Sequence, residues 1–301
     1  YIANPALNAN GAHVGGIVGF LGSLRHLSER MSPSRIIVSW EGEGGSSRRR
    51  KLHPGYKQGR RPVKPNRFYE SDDMPDTPEN KTWQLYTLGT LLKNVNVTQV
   101  YVKDCEADDL IACMCRGRLR ETPKVIVSSD HDFYQLLNDN TAIYSLNRKL
   151  LVFAEDIKRE FNMSAANFAL AKAVCGDGSD CIDGVKGIGF KTLSKKVPEL
   201  VSDERMSIDT LLEACAERST RANDACGKIA ANSDLLRRNL QLVDLSEGWM
   251  IGATHLAKLE GAIDTPASGP DKMGLMRGLF AEGITGFDVD ALFLALKCLA
   301  R

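Results

Sequence analysis

Short β-branched runs alternating with helical periodicity set the pattern of the first half of the chain. Arg35–Trp40 (RIIVSW), Thr98–Val102 (TQVYV) and Lys124–Ser128 (KVIVS) are brief and apolar, and polar or Gly-containing sequence follows each. Runs of that length and composition predict buried parallel strands. Gly15–Arg30, Lys81–Lys93 and Asp108–Leu119 precede them in turn with apolar residues at helical spacing. Helix alternating with strand predicts an α/β fold on a parallel sheet, with its chemistry at the carboxyl ends of the strands. After about Phe153 the strand pattern fades, and helices are predicted at Ser164–Val174, Ile208–Arg218 and Asp234–Leu242. The expected organisation is an α/β core over residues 1–155 and a helical region over 156–301.

Composition narrows the class. With 301 residues, 43% hydrophobic and 26% charged, the chain matches an ordinary globular protein. Its apolar runs, such as Ala291–Leu296, are too short to span a bilayer, and no basic-then-apolar leader opens the sequence. No membrane partner is therefore expected. The eight Cys form no C-x-x-C pair and none sits at zinc-finger spacing from a His, which favours free thiols in a reducing cytoplasm.

The net charge of +1 hides a local asymmetry. Between Ser46 and Arg67 nine basic residues occur (Arg48, Arg49, Arg50, Lys51, Lys57, Arg60, Arg61, Lys64 and Arg67) and no acidic one. A solvated loop accounts for such a run as well as a polyanion partner does, until the acidic clusters elsewhere are read with it.

All three strands run into carboxylates. Glu41 follows the first; Glu106, Asp108 and Asp109 follow the second; Asp130 and Asp132 follow the third. Asp177 and Asp180 form a fourth cluster in GDGSDCIDG, after the helix at Ser164–Val174. Each cluster alone has an ordinary structural explanation: a helix N-terminus, a strand-to-helix turn, a loop. Three at adjacent strand ends and a fourth in a Gly-rich loop favour convergence. Like charges gathered so closely are costly unless a cation compensates them. Hard oxygen donors without a His or Cys cluster favour Mg²⁺ or Mn²⁺ over Zn²⁺.

Gly184, Gly187 and Gly189 fall between helical segments, followed by Lys191, Lys195 and Lys196. Glycines at this spacing let two helices meet tightly and leave backbone N–H groups open to phosphate. Such turns are common as plain structure, and the adjoining acidic loop is what strengthens the reading.

Here the sequence resembles the flap endonuclease family, most closely its bacteriophage 5′–3′ exonuclease branch. The resemblance rests on an ordered set: CEADDLIA (105–112), VSSDHDFYQLL (127–137), GDGSDCIDGVKGIGFKT (176–192) and RRNLQLVDL (237–245), with the basic KLHPGYKQGR (51–60) upstream. It implies a PIN-like parallel-sheet core with a helical arch at about 46–80, and a helix–hairpin–helix at about 176–196. It further implies two divalent ions, Mg²⁺ or Mn²⁺. Glu41, Glu106 and Asp108 would serve the first, and Asp130, Asp132, Asp177 and Asp180 the second. Asp109 would stand behind these ligands, because the first helical turn points it away from Asp108. Lys57 and Arg60 would steer the scissile phosphate. Arg48, Arg49, Arg50, Lys51, Tyr56, Arg61, Lys191 and the three glycines would contact DNA, Tyr56 by stacking on a base. A K⁺ ion is implied at the hairpin. The sequence departs from the family in having Glu at position 41 in place of Asp, with Glu43 as the alternative match. The family also draws an Asp from a strand preceding a segment like Tyr1–Asn4, so a further apolar strand carrying that Asp is expected ahead of Tyr1.

The implied activity is hydrolysis of DNA at free 5′ ends or 5′ flaps, and of RNA–DNA hybrid, by a monomer in the cytoplasm of a bacterial or phage-infected cell, in replication or primer removal. Two competing readings are a PIN-type ribonuclease and a branched-DNA-binding protein with a decayed site. The Gly hairpin and long basic segment argue against the first. The intact pairs Glu106/Asp108, Asp130/Asp132 and Asp177/Asp180 argue against the second.

Overall fold

The computed structural model describes residues 4–58, 78–246, 251–265, 267 and 269–299. Compactness groups the chain otherwise than by a single cut near residue 155. One unit draws on the described residues of Tyr1–Val38, Arg61–Val100 and Gly261–Arg301, the other on those of Ser39–Arg60 and Tyr101–Glu260.

In the first unit, α1 (Gly15–Met31) buries Ile17, Leu21, Leu24 and Ser28, a stripe at helical spacing that packs on α3 (Pro78–Leu91) and on the helix Val289–Ala295. The first turn of α1 leaves backbone donors without helical partners. Gln84 of α3 meets that need: its Oε1 accepts from Gly16 N at 2.7 Å, while its Nε2 donates to the His13 carbonyl at 2.8 Å. β1 (Ile37–Ser39) and β2 (Thr98–Val100) pair in a two-stranded sheet, beginning with Thr98 N donating to Ile36 O at 2.9 Å.

The second unit holds α2 (Ser47–Leu52), α4 (Ala107–Arg116) and a three-stranded sheet of β3 (Lys124–Val127), β4 (Thr141–Ser145) and β5 (Leu150–Val152). This corrects the expectation of one sheet of three parallel strands. The parallel partner of β3 is β4, in register Lys124↔Thr141 to Val127↔Tyr144, and β5 returns antiparallel with Ile143 opposite Val152. The apolar stretch of β4 is only Ala142–Tyr144, with Thr and Ser at its ends, so periodicity does not announce it even though all five residues are buried.

Helices α5 (Ala154–Phe161), α6 (Phe168–Cys175), α7 (Phe190–Lys196), α8 (Ile208–Arg218), α9 (Ala225–Ala230) and α10 (Ser233–Val243) follow in this unit. Phe133, Ile157, Phe168, Leu193, Leu211 and Leu236 belong to their shared core. α6 is buried over Phe168–Val174, the mark of a helix enclosed on all sides. It ends at Gly176, where β6 (Gly176–Asp177) and β7 (Ile182–Asp183) form a short hairpin. A Cβ at Gly184 would lie 2.2 Å from the Cys175 carbonyl, so glycine is required there by close packing on the end of α6. The buried Asn239 of α10 fixes the same junction, its Nδ2 donating to Ala173 O at 2.9 Å and Asp183 O at 2.7 Å. Among the described residues no helix is long and apolar enough to cross a membrane.

Candidate active site

Within the second unit the acidic clusters meet basic side chains from α2, the turn after it, and α6. Glu106 occupies the N-cap of α4, and Asp109, three residues on, turns back to accept from Glu106 N at 3.3 Å. Glu41 Oε2 accepts from Ala107 N at 3.1 Å, so Glu41 reaches the same helix start. Glu43 instead engages through its backbone, its N donating to Tyr101 Oη at 3.1 Å. Burial raises the Glu41 pKa against the lowering effect of the Ala107 bond.

Arg49 projects from α2 into this cluster and is only 2% exposed. Its Nη1 donates to Glu106 Oε2 at 2.6 Å and Asp109 Oδ2 at 2.9 Å, its Nη2 to Asp109 Oδ1 at 2.8 Å, and its Nε to Leu242 O at 2.9 Å. Tyr56 Oη donates to Glu106 Oε2 at 3.1 Å, and Lys57 Nζ to Glu106 Oε1 at 2.6 Å. Burial alone would raise the Glu106 pKa, but Arg49 and Lys57 outweigh it and hold the carboxyl below its ordinary value. The Tyr56 hydroxyl is pushed strongly upward by burial and by the charge of Glu106.

Lys57 has a left-handed backbone, φ 58°, unusual for a residue with a Cβ. Its N donates to Asp180 O at 3.0 Å and its Nζ stands 4.0 Å from Asp180 Oδ2. Lys57 thereby links the Glu106 side of the cluster to the hairpin side.

On the hairpin side, Asp132, Asp177 and Asp180 each place a carboxylate oxygen within 4.8 Å of the others. Lys172 of α6, 5% exposed, donates to Asp132 Oδ1 in a short bond and to Asp177 Oδ2 at 2.6 Å. The two aspartates share this cation yet shift oppositely. Burial pushes Asp132 up to about 6 against the pull of Lys172, with Asp130 adding to the rise. Burial would also raise Asp177, but Lys172 and two bonds from Ser179, through N at 2.8 Å and Oγ at 2.6 Å, bring it down to about 2. Asp108 feels charges from both clusters, Glu106 and Lys57 on one side and Asp130 and Asp132 on the other, and burial followed by the charge of Asp130 pushes it up to about 7. Asp130 is exposed, caps the 3₁₀ segment His131–Leu136, and accepts from Asp132 N at 2.9 Å. Raised, crowded carboxylates with oxygen donors alone suit a hard divalent cation. Asp132, Asp177 and Asp180 form the set best disposed to hold one.

The residues expected to meet DNA divide. Arg50, Lys51, Lys191, Gly187 and Gly189 are exposed, and Arg48 is half-buried. Two expectations are corrected. Arg49 is an internal cation neutralising Glu106 and Asp109, and Tyr56, 3% exposed, has its ring enclosed and its hydroxyl on Glu106. Of the three consecutive arginines of α2 only the middle one faces inward, where Glu106, Asp109 and the Leu242 carbonyl hold it. Arg60, Arg61, Lys64 and Arg67, with most of the expected arch, lie outside the described residues. Lys172 escaped the sequence reading, although a lone Lys inside the apolar FALAKAVC, five residues before Asp177, is a signal of a buried paired cation. Gln135 escaped it as well. Its Nε2 donates to Asp132 O at 2.8 Å and Val243 O at 3.0 Å, securing the backbone behind Asp132.

Residues 1–162 match the profile of the family described as the 5′–3′ exonuclease, N-terminal resolvase-like domain. A 5′–3′ exonuclease of Halalkalibacterium halodurans is 30% identical over 189 residues, covering 62% of this chain and 58% of that protein. The flap endonuclease Xni of Psychromonas ingrahamii is 30% identical over 170 residues, covering 56% and 59%. The chain thus spans little more than half the length of these curated relatives. A flap endonuclease of bacteriophage T5, solved in a complex with DNA and metal ions, superposes with a TM-score of 0.61 at 20% identity, over 93% of this chain and 91% of that one. That likeness is one of fold.

Proposed function

The chain belongs to the 5′–3′ exonuclease family defined by the N-terminal resolvase-like domain, and from that premise we propose that it is a divalent-metal-dependent 5′ nuclease. Its substrates are DNA strands with a free 5′ end or a 5′ flap, with RNA–DNA hybrid as a second class. The observation that carries this reading is the convergence of Asp132, Asp177 and Asp180 within 4.8 Å beside the raised carboxyl of Asp108. Asp132, Asp177 and Asp180 would hold one ion, with Asp130 at its edge, and Glu41, Glu106 and Asp108 a second. Mg²⁺ or Mn²⁺ bound by these residues would supply charge neutralisation and activation of water for in-line phosphodiester hydrolysis.

The chain's own residues do the rest. Lys57, half-buried and bonded through its backbone N to Asp180 O, would exchange Glu106 for an oxygen of the scissile phosphate and donate to it. Arg49 holds Glu106 and Asp109 in one orientation whatever Lys57 does. Lys172 sets the spacing of Asp132 and Asp177, which otherwise repel. The α6–hairpin–α7 segment is read as a helix–hairpin–helix that tracks duplex backbone through its exposed Gly187 and Gly189 turn and Lys191, and a K⁺ ion is proposed at that turn.

The deciding experiment is a duplex with a labelled 5′ flap incubated with the protein in Mg²⁺, in Mn²⁺ and in EDTA. Cleavage to a 5′-phosphorylated product with either metal and none in EDTA is expected. Undiminished cleavage in EDTA would overturn the metal mechanism. Flap binding without cleavage under every condition would favour the non-catalytic branched-DNA-binding reading.

A further inference from the structure

Beside Asp130 and Asp177 lies a cavity of about 400 Å³ lined also by Ser129, His131, Phe168, Lys172 and Phe190. That volume falls in the range of ligand pockets, roughly 300–1,000 Å³. Its aromatic wall is not something that metal binding or phosphate chemistry requires. Phe190 stacks on Phe168 with centroids 5.5 Å apart and planes 14° apart. Phe168 meets Tyr134 edge-on at 5.2 Å, and Tyr134 stacks on His131 at 4.7 Å and 19°. Ring contacts therefore run from Phe190 through Phe168 and Tyr134 to His131.

Phe168 and Tyr134 are buried, whereas His131 is exposed and lines the cavity. Tyr134 covers one face of the imidazole and fixes its plane. Among the described residues no other ring contacts His131. A flat ring backed by Tyr134 and exposed at the lining of a cavity can serve as a stacking platform, and stacking accepts any base because every base presents a π-face. The charges of the lining select which part of a nucleotide enters. Lys172 is already engaged by Asp132 and Asp177, and Asp130 adds negative charge at the exposed rim, so a phosphate without an accompanying cation is disfavoured while an uncharged base meets no such barrier.

Resting on the nuclease reading above, we propose that this cavity binds one nucleobase of the DNA strand, next to the phosphate held at the carboxylates, by stacking on His131. Because Asp130 and Asp177 line both the cavity and the carboxylate cluster, the base belongs to one of the two nucleotides flanking the cleaved bond. His131 is then a positioning residue: it sets the register of the strand without touching the reacting atoms. Stacking without hydrogen-bond readout also implies that all four bases are accepted.

The test uses the full chain and 5′-flap duplexes carrying 2-aminopurine, or an abasic analogue, at each of the two nucleotides flanking the cleavage site. In Ca²⁺, binding to the wild type is expected to change 2-aminopurine fluorescence at one of the positions. His131→Ala should abolish that change, and His131→Phe, which keeps a flat ring, should retain it. In Mg²⁺, an abasic analogue at the same position is expected to lower wild-type kcat/KM about tenfold. His131→Ala should lower it by about as much on the base-bearing flap and lose nothing further on the abasic one. Equal fluorescence changes in wild type and His131→Ala, or equal kinetic losses on base-bearing and abasic flaps, would overturn the proposal. Absence of Mg²⁺-dependent cleavage in every protein would overturn the nuclease reading instead, with the fluorescence comparison still deciding whether His131 stacks on a base.

Discussion

Arg49 and Asp109 form a two-pronged ion pair, Nη1 and Nη2 donating at 2.9 and 2.8 Å, with both side chains enclosed in protein. Geometry of this kind gives the stronger charge-assisted bonds. Removing one partner leaves a buried charge unmatched, which costs about 3–5 kcal/mol. Arg49→Met is therefore expected to lower stability by that order in urea denaturation, and adding Asp109→Leu to recover part of the loss. Arg50→Ala, on the exposed side of the same helix, should leave stability nearly unchanged and reduce the salt slope of duplex binding by about one. A stability-neutral Arg49→Met that weakened DNA binding would return Arg49 to the surface.

Asp130 and Asp177 sit at the edge and centre of the proposed metal site, and their charge rather than their bulk is what the chemistry uses. Asp130→Asn and Asp177→Asn are each expected to cut single-turnover cleavage of a 5′ flap by about a hundredfold or more. Affinity measured in Ca²⁺ should persist or tighten, since repulsion of the DNA phosphates falls. Parallel losses of binding and turnover would instead mark the two residues as structural.

How legible the site was in the sequence depends on whether a residue's partner is nearby in the chain or remote from it. Glu106, Asp108, Asp130 and Asp132 follow strand-like runs, so local pattern alone marks them. Arg49 looks no different from Arg48 and Arg50 in the sequence. What turns it inward is a pair of carboxylates more than fifty residues away and the Leu242 carbonyl of α10. Lys172 is similar: α6 reads as a core helix, and its single cation gains meaning only when Asp132 arrives from another element. The sheet shows the same limit. β3 is announced by KVIVS, whereas β4 acquires its strand character from pairing with β3 and β5.

Asp224 gives a pH dependence that is independent of the active site. At the N-cap of α9 it accepts from Gly227 N at 2.7 Å, Thr220 N at 2.8 Å and Arg221 N at 3.1 Å. These bonds, that from Gly227 foremost, hold its pKa well below the ordinary aspartate value. A group whose pKa is depressed by folding stabilises the native state above its unfolded pKa, about 3.9. The contribution is lost as pH falls towards the folded value. Wild type should exceed Asp224→Asn in urea midpoint at pH 7, and the gap should narrow steadily below about pH 4. A gap that stayed constant from pH 7 to pH 3 would show that the carboxylate charge is not what the cap uses.

Lys172 and the proposed divalent ion would perform one task, the neutralisation of Asp132 and Asp177. With Lys172 in place, both carboxylates have a cation within hydrogen-bonding reach, and its own pKa is raised because they outweigh the effect of burial. Replacing it with Met, one atom shorter and uncharged, fills most of the same space in the apolar setting of α6 but leaves the acidic pair uncompensated. Metal-free Lys172→Met should therefore melt below the wild type, by an amount reflecting the roughly 3 kcal/mol or more of a broken buried pair. Binding of a cation to the folded state alone raises stability by mass action. Because the variant has more repulsion to relieve, millimolar Mg²⁺ should raise its melting temperature more than it raises that of the wild type. EDTA should reverse both shifts. The measurement is a pair of thermal scans for each protein, with and without metal. Equal Mg²⁺ shifts in the two proteins would mean that Lys172 and the metal do not act on the same carboxylates, and would move the proposed ion away from Asp132 and Asp177.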